Sequence, residues 1–192
     1  MMEHNSGIDY NELHEVEWPF AINLASWIKD FINPKKVLDI GAGPGTYVKA
    51  LKEQGIDATG YDPDVQLTDN PYVISKSLFE VTDTADLIIC LEVAEHIPEV
   101  YADTIISKLV SNIEPHGSII FSAALPGQGG VGHINCQWKP YWERRFLQHK
   151  DVFRNQIAET TCRNVVFKRG RWMGWFENNF MIFTKGGHDV KG

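Results

Sequence analysis

The chain has 192 residues, 43% of them hydrophobic, enough to bury one core without disulfides or metals to staple it. Its formal charge of −7 disfavours a broad phosphate-binding surface, because nucleic-acid affinity rests on Lys and Arg that neutralise phosphates. Cys90, Cys136 and Cys162 form an odd, widely spaced set with no CxxC pair, which predicts reduced thiols, Cys90 in the core, and no disulfide framework.

The opening stretch MMEHNSGIDYNELHEVE carries neither a basic nor an apolar segment, and no later apolar run approaches the ~20 residues that span a bilayer. The expectation is a soluble, cytoplasmic protein without a membrane partner. Residues 1–15 are polar and acidic and read as a flexible arm. Over residues 18–32, Phe20, Leu24, Trp27, Ile28 and Phe31 recur at helical spacing, which predicts an amphipathic helix stopped by NPKK. Apolar strands then alternate with helical stretches: KVLDI, a helix over 46–54, DATGYD, a turn through PDVQLTDNP, YVIS, DLIICL, a helix over 98–112, and GSIIFSAAL. Such alternation predicts a parallel sheet covered on both faces. Beyond it come a glycine-rich loop over 126–135, a helical region over 139–162, and two strands, NVVFKR and NNFMIFTK, joined by GRWMGWFE. Residues 186–192 read as a frayed tail, which leaves a single domain over 16–185.

In VLDIGAGPGTY, three glycines follow the first strand and lead into a helix, the place where an open α/β sheet binds ligands. Asp62 ends the second strand about twenty residues after the loop begins, where a carboxylate accepts ribose hydroxyls. Loop and acid together predict a nucleoside site, against the alternative of a tight turn with no ligand. The dinucleotide fingerprint GxGxxG is absent, since this loop is GxGxG followed by Thr46, and no GK[ST] occurs anywhere. A cofactor with ribose and adenine but no phosphate, S-adenosylmethionine, fits better than NAD.

The segments VLDIGAGPGTY, GYDPD, DLIICLEVAEHIP and GSIIFSAALPG stand in the order and spacing of the class I S-adenosylmethionine-dependent methyltransferases, which the chain resembles over residues 36–126. The resemblance implies a Rossmann-like, doubly wound α/β sheet of seven strands in the order 3-2-1-4-5-7-6, with only strand 7 antiparallel and an N-terminal helix added. It places Asp39 and the loop of Gly41, Ala42, Gly43 and Gly45 along the cofactor's methionine portion, and Asp62 at the ribose. Ser77 and Leu78 stand where many members carry an adenine-binding Asp-Leu pair. Leu91 and Glu92 would line the cofactor's other side.

Methyl transfer from a sulfonium is an in-line displacement, so the protein contributes alignment and removal of the nucleophile's proton. The candidate catalytic residues are Glu95, His96 and His133. Glu92, Glu95 and His96 share one face if LEVAEHIP turns helically, and His133 follows in the loop after strand 5. Two readings stand. The cluster braces the fold, or Glu92, Glu95, His96 and His133 hold a divalent metal (Mn, Co, Zn or Mg) that acidifies a substrate hydroxyl. The second arrangement resembles the ExxEH and later His of small-RNA 3′-terminal 2′-O-methyltransferases, whose aromatic-rich helix start is similar to GHINCQWKPYWERRF. LPGQGGVGHINCQW with WFENNFMIF also resembles a broad group of bacterial and phage class I methyltransferases. Gln128, His133, Asn135 and Gln137 would face a hydroxylated acceptor, and Trp138, Tyr141, Trp142, Trp172 and Trp175 a sugar or ring face. The glycines of PGQGGVG predict a mobile lid. The expected function is O-methylation of a small, hydroxyl-rich acceptor such as a sugar. RNA 2′-O-methylation and a non-catalytic cofactor-binding or interaction domain are the alternatives.

Overall fold

Val37, Leu38 and Ile40 are stripped of solvent on both sides, and the strand they form, β1 (Lys36–Ile40), runs through the middle of a seven-stranded sheet. The computed structural model describes residues 10–64, 70–167 and 174–186. Its other strands are β2 (Asp57–Asp62), β3 (Val73–Ser75), β4 (Ala85–Leu91), β5 (Ile113–Ser122), β6 (Val152–Arg154) and β7 (Met181–Lys185). Their order is β3-β2-β1-β4-β5-β7-β6. Every pairing from β3 to β5 is parallel, and β7 runs antiparallel to both β5 and β6. The sheet expected from the resemblance is therefore the sheet observed.

The helices are α1 (Tyr10–Trp27), α2 (Thr46–Glu53), α3 (Ala102–Asn112), α4 (Lys139–Phe146), α5 (Gln156–Val165) and α6 (Gly174–Asn179). Successive residues of β4 point to opposite faces. Leu87 and Ile89 join Leu24, Leu51, Cys162 and Phe176 in one core layer, whereas Ile88 and Cys90 join Ile105, Leu109, Trp142 and Phe146 in the other. Helices α1, α2, α5 and α6 thus cover one face, and α3 and α4 the other. The long apolar strands are what a sheet buried on both faces requires.

Several boundaries differ from the sequence expectation. Helix α1 begins at Tyr10, ahead of the expected residue 18, and takes in the last part of the stretch read as an arm. It passes into a π turn at Ile28–Ile32, closed by Asn33 in the left-handed region just before Pro34. Residues 1–9 and 187–192 lie outside the described residues. The expected continuous helix over 139–162 is broken by β6, a three-residue edge strand too short to show a period of two. Conversely, NVVFKR is not the sixth strand. Its β-branched valines continue α5, because Ala158, Cys162 and Val166 recur every four residues and bury one helical face. The last residues of that segment, 168–169, and the start of GRWMGWFE lie outside the described residues, while Asn178 and Asn179 close α6 rather than open β7.

Candidate functional site

The glycine loop leaves β1 at the carboxyl edge of the sheet, with Gly41, Gly43 and Gly45 at φ of +74°, +49° and +76°. Left-handed backbone of this kind is costly for any residue with a Cβ. At Gly45 the need is double: an added Cβ would stand 2.3 Å from Asn70 Nδ2 and 2.7 Å from a Val73 methyl. The glycine at this position therefore makes room for the protein's own wall as well as for the turn. Backbone N–H groups of Gly41 and Ala42 both donate to Tyr61 O, which fastens the loop to the end of β2.

Asp62 closes that fastening. Its Oδ2 accepts from Gly43 N at 2.9 Å and its Oδ1 from Asp64 N at 2.8 Å, so it holds the loop from below and its own turn from beside. Burial still raises its pKa, against the lowering influence of those two N–H groups. Asp39, inside the loop's curve, is 2% exposed, and its Oδ2 takes no hydrogen bond. Burial and the charges of Glu17 and Asp62 push its carboxyl well above the usual range. Tyr47, in the first turn of α2, likewise has a buried hydroxyl without a well-formed hydrogen bond. Glu17 of α1 reaches the same corner against the Thr46 and Tyr47 hydroxyls, and burial raises it to about 7. Buried polar atoms without partners are costly, so this corner is built for a ligand that carries donors and positive charge. The loop, Asp39 and Asp62 therefore fit a nucleoside cofactor with an aminoacyl cation.

Ser77 and Leu78 stand after β3. The Ser77 N–H and hydroxyl both donate to Glu80, a reciprocal cap on a short 3-10 turn, and Leu78 is buried. At the tip of β4, Leu91 is buried and Glu92 adopts φ +54°. Glu92 Oε2 accepts from Gln128 Nε2 at 2.8 Å and Oε1 from Asn179 Nδ2 at 3.2 Å. A 3-10 turn, Ala94–His96, follows in place of a longer helix.

That turn sends Glu95 inward. Its carboxyl is fully buried, with no well-formed hydrogen bond on either oxygen. Burial and the nearby Glu92 charge push it up to about 8, so it is held mainly as the acid at neutral pH. His133 Nε2 lies 4.0 Å from Glu95 Oε1, and the His96 ring meets the His133 ring edge-on at 4.9 Å. Burial and the neighbouring His133 lower His96. Gly130 permits this approach, since a Cβ there would lie 2.2 Å from the His133 ring. Single donor atoms from Glu95, His96 and His133 all fall within 4.8 Å of one another. Glu92, the fourth expected ligand, is not in that set.

The rim is tied down more firmly than a run of glycines suggests. Ile134 N and Asn135 N both donate to Glu95 O, and Gln137 N donates to Ala124 O. Asn135 is buried, where it holds Ala94 O and accepts from Gln137, so it faces the scaffold. Trp142 is also core, against Phe121, whereas Trp138 is 61% exposed and Tyr141 donates its hydroxyl to Glu99. Trp172 lies outside the described residues, and Trp175 falls on α6. Glu17 lies outside every segment singled out in the sequence, whereas Tyr47 and Asn179 fall within VLDIGAGPGTY and WFENNFMIF without a role assigned to them. They reach the site through α1, α2 and α6, which flank the loop's mouth.

A parallel sheet with a reversed seventh strand, a glycine loop after β1 and an acid ending β2 defines the class of Rossmann-like enzymes that bind a nucleoside cofactor at the strands' carboxyl ends. Residues 17–178 match the methyltransferase domain family, and the chain belongs to it, within the class I S-adenosylmethionine-dependent methyltransferases. The cofactor of that class supplies an activated sulfonium methyl group. Among curated proteins, the chain is similar to the ubiquinone biosynthesis O-methyltransferases of Pseudomonas fluorescens (strain Pf0-1), 28% identical over 131 residues, and Stutzerimonas stutzeri (strain A1501), 26% identical over 131 residues. Each match covers 59% of this chain and 54% of the relative, so the chain spans about half the length of the curated relatives it matches. Its fold is similar to magnesium protoporphyrin IX methyltransferase from Synechocystis PCC 6803 (TM-score 0.65, 16% identity, 93% of this chain and 89% of that one). It is also similar to a SAM-dependent methyltransferase from Archaeoglobus fulgidus (TM-score 0.61, 17% identity, 92% and 100%). All three cysteines are free, and among the described residues no helix is long and apolar enough to cross a membrane.

Proposed function

We propose that the chain methylates an oxygen of a small hydroxylated acceptor, sugar-like molecules included, with S-adenosylmethionine as donor. The observation that carries this reading is the Glu95–His133 pair, placed after β4 and β5, parallel strands whose carboxyl ends lie at the same edge of the sheet as the glycine loop after β1. An alcohol must lose its proton as it attacks a methyl carbon. His133 Nδ1, which has no hydrogen-bond partner of its own, receives that proton, and the buried Glu95 positions the ring through Nε2, a contact that at 4.0 Å has room to tighten when substrate fills the site. The two O-methyltransferase relatives support oxygen as the atom modified. Incubation of the protein and cofactor with pooled metabolites, sugars and small RNAs, read by mass spectrometry for the gain of one CH2, tests the proposal. Methylation confined to nitrogen, carbon or RNA would reject it.

A second reading has its own observation. Glu95, His96 and His133 offer one carboxylate and two imidazoles within 4.8 Å, a set suited to Mn, Co or Zn, or to Mg completed by waters. On this reading the ion takes over the acidification of the acceptor hydroxyl. Loss of turnover in chelator, restored by Mn or Co, supports the metal. Full turnover in chelator rejects it.

A further inference from the structure

We infer that Glu17, carried in on α1, is a cofactor-binding residue that holds the ammonium of the aminoacyl end of S-adenosylmethionine together with Asp39 and the Tyr47 hydroxyl, an assignment that rests on the cofactor reading above. Nothing in the motif-bearing part of the chain points to α1, which lies upstream of the first strand. Its placement does. His14, Glu17 and Phe20 are spaced three apart, so they line the helix face turned to the start of α2. His14 Nδ1 meets Thr46 Oγ1 at 2.9 Å, and the Phe20 and Tyr47 rings stand edge-on at 6.3 Å. Between these two contacts, Glu17 is aimed at the Thr46 and Tyr47 hydroxyls, at the inner side of the glycine loop.

Among the described residues, no Lys or Arg is ion-paired to the corner it completes. Asp39 Oδ2 is buried without a partner, and the buried Tyr47 hydroxyl has no well-formed hydrogen bond beyond its approach to Glu17. The nearby Lys49 lies over the Trp18 ring, 4.7 Å from its centroid. An ammonium has three N–H donors and no acceptor. Glu17, Asp39 and Tyr47, close enough for their charges to interact, supply three acceptor groups to one corner, which matches the ligand's demand for hydrogen-bond acceptors.

Calorimetry with three ligands separates these roles: S-adenosylmethionine, S-adenosylhomocysteine, and 5′-methylthioadenosine, which keeps the nucleoside and sulfur but has no aminoacyl group. Glu17→Gln is expected to weaken the first two about tenfold or more, the range for hydrogen bonds to a charged group. It should leave methylthioadenosine unchanged. Tyr47→Phe, which keeps the ring in the core, should show the same selectivity with a smaller loss. Equal weakening of all three ligands would overturn the inference in favour of a scaffold role. A loss for S-adenosylmethionine that spares S-adenosylhomocysteine would overturn it in favour of the sulfonium. Wild-type protein that binds none of the three would bring down the cofactor reading itself, whereas unchanged affinities in both variants would sink only the role of Glu17.

Discussion

Glu95 has a demanding position: a carboxyl with no exposed surface, no well-formed hydrogen bond, and an imidazole 4.0 Å away. If it positions His133, then His133→Ala should lower turnover by about 10²–10⁴-fold, the contribution of a placed general base, and Glu95→Gln should lower it by less. Cofactor affinity, measured separately, should barely change in either variant, since neither side chain lies in the glycine loop. The same variants in the presence of chelator decide between base and metal ligand. Asp62 is a different kind of residue, because its carboxylate accepts from the loop backbone and from its own turn. Asp62→Ala should weaken S-adenosylhomocysteine binding by about 1.5–3 kcal/mol. Unchanged calorimetric affinity would remove it from the site. The gathering of Glu95, His96 and His133 was legible in the sequence. They follow two strands that the alternation pattern places side by side, and active groups collect at that edge of such sheets. Glu17 was not legible, because an acid on an amphipathic helix has no local signature of what it faces after folding.

Helices and strands with a long period or a long run were readable, and short ones were not. Strands β1, β2 and β4 appear in the sequence at or close to their observed bounds, since five to seven residues suffice to show an apolar run. Strand β6 has three residues and is defined by its partner β7, so no local pattern announces it. Helix α5, concealed behind valines, is started by Asn155, whose side chain accepts from Ala158 N at 3.0 Å. Asn155→Ala should cost about 1 kcal/mol in denaturant unfolding, the usual effect of losing an N-cap, and somewhat more if the bond from its amide to Thr184 also matters. The loop after β5 divides at His133. The N–H groups of Ile134, Asn135 and Gln137 are bonded and should resist hydrogen exchange even without ligand. The tip over 129–132, where Val131 is 57% exposed, should exchange rapidly and slow when cofactor and acceptor are present. Equal protection of the tip in both states would exclude its closure over substrate.

At the scale of the whole molecule, the pocket's acids leave a signature in stability against pH. Burial raises Glu17 to about 7 and Glu95 to about 8, and raises Asp39 as well, so the folded state retains protons that the unfolded state has released above its ordinary value near 4.5. Stability from these groups is therefore fullest below that value and falls as pH rises through 7 and 8. His14 and His96 act oppositely: burial lowers both, so their penalty appears only as pH drops below the unfolded value of 6.5. Glu80 and Asp83, lowered by hydrogen bonds from Ser77 and Tyr61, are already fully ionised in both states above 4.5. Between pH 6.5 and 8 the raised values of Glu17 and Glu95 fall within the window, and through them the ligand-free protein should lose thermal stability across it. A cationic ligand reverses the preference, because it favours ionised Glu17 and Asp39 and expels their protons. S-adenosylmethionine at a hundred times its Kd should then stabilise the protein by about 2.7 kcal/mol, and its affinity should rise with pH through about 7. In Glu17→Gln that rise should flatten and the fall in ligand-free stability should become shallower. Thermal melts and calorimetry at pH 6.5, 7 and 8 measure both, and a ligand-free melting temperature that climbs over this range would show that the pocket's acids are ionised in the folded state.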